Sequence, residues 1–308
     1  MMLLIMRDAC IGGKVRHFLG LFAVALVGAT TAATASEPYL GTPPAGLVLS
    51  GVADFAGGYR DIDSEDEGTG SSGEWTARGR MSIPIWSTVS VQLDAGSEFY
   101  TSLNDDDDPK RNLAVGAHLS YRVPSHGLIG VFYGHGRSPN HDDSYYYTLN
   151  MVGVEGQLYR DNWTFYGQAG WADKLSGADG EGFNDGWFVR GVTRYFLTPD
   201  TKIEAELSYA EAAPYLDGSH DGEFLGWGAS FQRKLFDMPN LPLYWDVSYR
   251  GARYDATTEE DKMTEHVFKV GLTMLFGTTS LIHNDRAGAT LDLPMLPIRA
   301  NGVAELLD

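Results

Sequence analysis

The chain has 308 residues, with 23 basic against 41 acidic ones, a net charge of −18 with His neutral, and a single cysteine. So acidic a balance excludes a nucleic-acid partner, whose binding is driven by Lys and Arg on phosphates, and the lone Cys10 excludes a disulfide within the chain. Past residue 35 no apolar run reaches the roughly 20 residues of a spanning helix, so any membrane crossing has to be made by strands closed into a barrel.

Arg7, Lys14 and Arg16 precede the run FLGLFAVALVGA, which leads to Ala33-Thr34-Ala35 just before Ser36. A basic start, an apolar middle and a small-residue exit predict a secretory signal peptide over 1–35. The apolar stretch is short for an anchor. Removing 1–35 takes away Cys10 and leaves 20 basic against 40 acidic residues, a net charge of −20. Residues 36–46 then form a periplasmic lead.

Twelve strands are predicted between residues 47 and 276. They lie near 47–60, 74–83, 88–101, 110–122, 127–135, 145–159, 162–172, 187–197, 201–210, 224–236, 242–254 and 264–276. The reason is period-two alternation, which puts successive side chains on opposite faces of a strand. In the third segment Val89, Val91, Leu93, Ala95 and Phe99 share one face, and Ser90, Gln92, Asp94, Gly96 and Glu98 the other. In the ninth, Ile203, Ala205, Leu207 and Tyr209 oppose Lys202, Glu204, Glu206 and Ser208. One face suits lipid and the other a wet interior. The pattern predicts an all-β fold, a closed antiparallel transmembrane β-barrel of about 12 strands in an up-and-down meander.

The connections alternate in length. Long acidic ones cover 61–73, 102–109, 134–144, 173–186, 211–223 and 255–263, and short ones carry Pro84, Pro124, Pro199, Pro239 and Pro242 or the triplet RDN. Long loops belong outside the cell and short turns in the periplasm, and an even strand count returns both termini to the periplasm. Aromatic residues recur near strand ends, among them Trp75, Trp86, Tyr121, Trp163, Trp171, Trp187 and Phe276, as expected at headgroup level.

With this alternation and the closing segment HVFKVGLTMLF, the chain resembles the outer-membrane β-barrel proteins of Gram-negative bacteria, in the broad porin-like class. The last segment and its Phe276 resemble the C-terminal signal that such barrels present to their assembly machinery. Barrel chains commonly end on that aromatic, whereas this one continues for 32 residues. The extension 277–308 starts in the periplasm, and its LDLPMLPI is apolar enough to pack. It folds into the lumen as a plug, lies on the periplasmic rim, or stays an unpacked tail, and Asp285, Arg286 and Gly288 have no assigned role.

Parity projects Arg78, Arg80, Arg122, Arg190, Arg194, Lys202, Arg250 and Lys269 into the lumen. Against them stand Asp94, Glu98, Glu155, Glu204, Glu206 and Asp246, with His118 as a hydrogen-bonding core histidine. Opposed charges of this kind suit a passive, porin-like channel for small hydrophilic solutes. The alternative is a closed structural or surface-interaction barrel whose charges pair off, because buried charges need partners. The two readings differ in whether Arg78, Arg80, Arg190 and Arg194 meet water or carboxylates.

The six long spans hold 23 acidic residues and three basic ones, including the run Asp105 to Asp108. Such loops offer carboxylates to divalent cations, alone or shared with lipopolysaccharide phosphates, but no span has calcium-loop spacing. They are expected as solvated acidic surfaces. His141 with Asp142 and Asp143, His220 with Asp221, and the Asp61/Asp63 pair fail to match the acid and His pattern of omptin-type proteases. Ser138, Ser144 and His141 form at most a weak hydrolase neighbourhood, so no enzyme and no cofactor are expected. The expected surroundings are outer-membrane lipid, lipopolysaccharide, the barrel assembly machinery and a small polar solute.

Overall fold

A computed structural model describes residues 49–64, 68–102, 110–139, 146–176, 183–214, 222–236, 242–255 and 262–294. The signal segment, the lead 36–46, most of the acidic loop tips and residues 295–308 lie outside the described residues.

Twelve strands form one closed antiparallel barrel in which each pairs with its sequence neighbours and the first pairs with the last. They are β1 (Ser50–Ser64), β2 (Gly68–Pro84), β3 (Val89–Ser102), β4 (Lys110–Val123), β5 (Gly127–Pro139) and β6 (Tyr146–Arg160). The meander continues through β7 (Trp163–Ser176), β8 (Phe183–Thr198), β9 (Thr201–Pro214), β10 (Gly222–Lys234), β11 (Leu243–Asp255) and β12 (Lys262–Phe276). Closure runs in continuous register from Gly51↔Phe276 to Ser64↔Met263. Every backbone polar group in the span can therefore be satisfied by a neighbouring strand, the condition for crossing hydrocarbon.

All twelve predicted strands are present, but they run further toward the loop end than the alternation implies. The first acidic connection, expected over 61–73, is mostly paired strand, from Asp61↔Ser71 to Ser64↔Gly68. Likewise β5 continues to Pro139 and β9 to Pro214. The strands have 13 to 17 residues, more than the roughly 9–11 that cross the hydrocarbon at a tilt. Beyond the lipid, backbone pairing continues without needing an apolar face, so hydropathy stops reporting strand before the ladder ends.

The outer face is apolar. Ile129 is 67% exposed, Val270 62% and Val152 59%, a belt that only lipid can cover favourably. Trp86, Tyr121, Trp171 and Phe276 are also exposed. At Asp161, in the β6–β7 turn, φ is +50°, a left-handed position that a short polar side chain tolerates.

After β12 the chain turns at Gly277, with φ +71°. A β-carbon there would run into the Leu49 carbonyl, so the turn requires glycine. A seven-residue helix, α1 (Leu281–Ala287), follows, and its Ser280 cap accepts the His283 N–H at 3.2 Å. Leu281 and Ile282 pack with Val52, Phe196, Tyr244 and Leu275 at the turn end of the barrel. Residues 288–294 then pass into the lumen.

Candidate functional site

The interior is built by the inward parity of all twelve strands and by the C-terminal segment. Three levels are distinguishable along the barrel. At the turn end, α1 fills the opening. Arg286 donates to the carbonyls of Asp161 (3.2 Å) and Trp163 (2.8 Å) and lies 4.2 Å over the Tyr159 ring. Arg122 donates to the Gly288 carbonyl at 2.7 Å. Toward the loop end, Phe132, Met151, Phe188, Phe224, Tyr254 and Met263 form a buried apolar cluster.

Between these levels lies the charged layer, where Asp292 is central. Its Oδ1 is 3.2 Å from Arg80 Nη1, and its Oδ2 is 3.0 Å from Arg190 Nη1 and 2.8 Å from Arg194 Nη2. Burial alone would raise the Asp292 carboxyl, but Arg194, Arg190 and Arg80 hold it well below the usual carboxylate range. Each arginine also has a wall partner: Asp54 for Arg80 at 3.2 Å, Glu206 for Arg190 at 2.6 Å and Glu204 for Arg194 at 2.9 Å. Arg194 adds Asp285 at 3.0 Å, whose other oxygen accepts from Thr164 at 2.5 Å. Arg190 and Arg194 both lie over the Tyr166 ring, at 5.9 and 5.2 Å.

The backbone of the inserted segment is satisfied by wall side chains. Gln92 donates to the Leu291 carbonyl at 2.7 Å and accepts the Leu291 N–H at 3.1 Å. Gln168 donates to the Asp292 carbonyl at 3.1 Å, and the Tyr166 hydroxyl oxygen accepts the Asp292 N–H at 3.3 Å. Leu291 is fully buried among Leu128, Tyr159, Tyr166 and Val192. A glycine track on β3, β4 and β5 leaves room for the next two residues. A β-carbon at Gly96 would stand 3.1 Å from Leu293, one at Gly116 2.9 Å from Pro294, and one at Gly134 3.1 Å from Pro294.

Behind this wall His118 lies between two acids, its Nε2 2.6 Å from Asp94 and its Nδ1 2.7 Å from Glu155. A ring with a proton on each nitrogen donates to both. Tyr166 donates to Glu155 at 2.7 Å, so the tail backbone is joined to this buried triad through one hydroxyl.

The opposite wall is different. A cavity of about 260 Å³ remains beside Asp292, bounded largely by β1, β2 and β8–β12. Seven basic residues line it, Arg78, Arg80, Arg190, Arg194, Lys202, Arg250 and Lys269, with six acidic ones, Asp54, Glu204, Glu206, Asp246, Asp285 and Asp292. Arg78 pairs with Glu98 at 3.0 Å, Lys202 with Glu204 at 3.1 Å and Lys269 with Glu74 at 2.8 Å. Arg250 lines the cavity and acts on the Glu206 carboxylate through space, and Asp246 stands beside Thr273.

The interior thus departs from an open pore with opposed, hydrated charges. Arg78, Arg80, Arg190 and Arg194 all meet carboxylates, and Asp285 and Asp292 come from the tail, because charge drawn out of water needs a partner. The same parity rule would have found Asp54, Arg60, Glu74 and Glu265. It could not find Asp285, Asp292 or the supporting Gln92, Tyr166 and Gln168 as tail ligands, since no local period places a tail inside a barrel. Among the described residues no group of three His, Cys, Asp or Glu is placed to hold a metal ion. Asp105 to Asp108, His141, Asp142, Asp143, Ser144, His220 and Asp221 lie outside the described residues, as does the side chain of Ser138. Asp61 accepts from Tyr59 at 3.3 Å.

No family model matches the chain, and no curated protein sequence does. Among solved structures, an outer membrane channel from Pseudomonas putida F1 is 12% identical, with 79% of this chain and 100% of that one aligned and a TM-score of 0.53. The NanC porin is 11% identical over 72% of this chain and 98% of its own, with a TM-score of 0.47. The translocator domain of the autotransporter NalP from Neisseria meningitidis is 14% identical over 85% and 96%, with a TM-score of 0.45. At such identities the likeness is one of fold, and the first of them carries it. Together with the closed twelve-strand sheet and its apolar outer belt, it shows that this chain has the fold of an outer-membrane β-barrel.

Proposed function

We propose that this barrel is a narrow passive channel for small hydrophilic solutes, held shut in the observed state by its own C-terminal segment. The observation that carries the reading is the charged cavity of about 260 Å³ left along β1, β2 and β8–β12 beside the inserted tail. A barrel built only as a solid pillar has no need of such a space. Twelve strands lie between the side-chain-filled barrels of eight and the open porins of sixteen or more. In this reading the tail enters from the periplasm, lipid and lipopolysaccharide surround the outer belt, and the strand ending at Phe276 is what the assembly machinery meets. The pairing of Arg60 with Glu265 at 3.3 Å and the His118 triad favour the second reading, a closed structural barrel.

A reversible tether separates them. A β-carbon at Gly134 would stand 3.1 Å from Pro294 Cβ, a few tenths of an ångström under the roughly 3.5 Å lower limit for bridged cysteines. The chain from Ser36 onward, carrying Gly134→Cys and Pro294→Cys, is refolded and placed in a planar bilayer. Conductance steps that appear with reductant and vanish on reoxidation are expected. Silence in both states sinks the channel, and steps in both states remove the tail as its closure.

A further inference from the structure

The geometry points to a carboxylate-binding site in the lumen, made by Arg80, Arg190 and Arg194, which takes a small organic anion and which Asp292 occupies as an internal substitute. The inference deepens the channel reading by assigning its solute class, and rests on that reading for the word solute.

Three guanidinium groups from two distant strands, β2 and β8, converge on one carboxylate at 2.8 to 3.2 Å. Each keeps a wall acid on a different nitrogen: Arg80 Nη2 on Asp54, Arg190 Nη2 on Glu206, Arg194 Nε on Glu204. The wall therefore neutralises one edge of each arginine and leaves another edge aimed at a shared point. Planar guanidinium forks match carboxylate geometry at such a point. The group filling it belongs to no strand and is held as a peptide ligand would be, its amide and carbonyl groups met by Gln92, Gln168 and Tyr166.

Charge supplies the selection. With the tail in place the cavity is lined by seven basic and six acidic residues, and withdrawal of Asp285 and Asp292 leaves seven against four. Arg78 and Lys269 keep Glu98 and Glu74 throughout, so the cations that lose a partner are Arg80, Arg190 and Arg194, and the positive potential that draws anions develops at these three. An incoming carboxylate that takes the three arginines removes what holds Asp292, so solute and tail compete for one site.

The test is calorimetric titration of succinate into the detergent-solubilised chain from Ser36 onward, with glycerol as the uncharged control. Asp292→Asn removes the competing charge and is expected to bind succinate about tenfold more tightly than wild type. Adding Arg190→Ala should abolish that gain, and glycerol should not bind. In the Gly134→Cys/Pro294→Cys protein, folded in both states, succinate should bind only after reduction. No binding in the reduced tethered protein, equal binding in its oxidised and reduced forms, or unchanged binding in the Arg190→Ala double variant would each overturn the site. Binding without conductance would retain the site and refute the channel, whereas conductance without binding would do the reverse.

Discussion

The two halves of the lumen wall solve the problem of a polar interior differently. The wall of β3–β7 is sealed by the tail, and its contacts are specific ones: Gln92 on both sides of the Leu291 peptide, Tyr166 and Gln168 on Asp292, glycines where Leu293 and Pro294 pass. The wall of β9–β12 and β1 carries ion pairs around an unfilled space. A buried amide or hydroxyl has to be satisfied within the structure, so the first wall depends on the tail being present. Charges beside a cavity retain access to water, so the second does not. Arg80, Arg190 and Arg194 join the two, and the barrel's closed state is concentrated in them.

The comparison breaks most severely at Arg194, which is 3% exposed and holds Glu204, Asp285 and Asp292 together. Arg194→Ala leaves these acids facing one another and should cost about 3–5 kcal/mol of unfolding free energy, measured by urea denaturation in detergent. It should also make the Arg286 bond, buried in wild type, open to trypsin. Gln92→Leu removes both hydrogen bonds to the Leu291 peptide and should cost about 1–3 kcal/mol, read in the same assay, with the barrel itself retained. On the cavity side, Arg250→Ala should change stability by less than about 0.5 kcal/mol, yet reduce the anion preference of the opened channel in reversal-potential measurements. A loss as large as that of Arg194→Ala would erase the distinction between the walls.

The smallest effect expected is that of acid. Because the Asp292 carboxyl is held below its usual range, its contribution is complete above the ordinary carboxylate range and is lost only as pH falls through the lowered value. Tail closure at this contact should therefore be unchanged from about pH 8 to about pH 5, as monitored by trypsin cleavage at Arg286. Release of the tail within that interval would assign the closure to another group.

Strand number, order and inward parity were legible because each is local. A two-residue period sorts Lys202, Glu204 and Glu206 from Ile203, Ala205 and Leu207 whatever the rest of the chain does, and a short Pro- or Asp-containing turn joins each even-numbered strand to the next. The extent of the strands was less legible, as at Asp61 to Ser64, where pairing persists after the apolar face has ended. Asp285 and Arg286 carried no readable role, since both acquire one from strands distant in sequence.

By itself, then, the sequence determined a closed sheet with an apolar exterior and a charged interior, because alternation and hairpins act over a few residues. Only the tertiary structure decided which acid meets which arginine and that the tail lies within. Asp292 stands 212 and 102 residues from Arg80 and Arg190. The site it fills exists only once β2 and β8 face each other across a closed barrel.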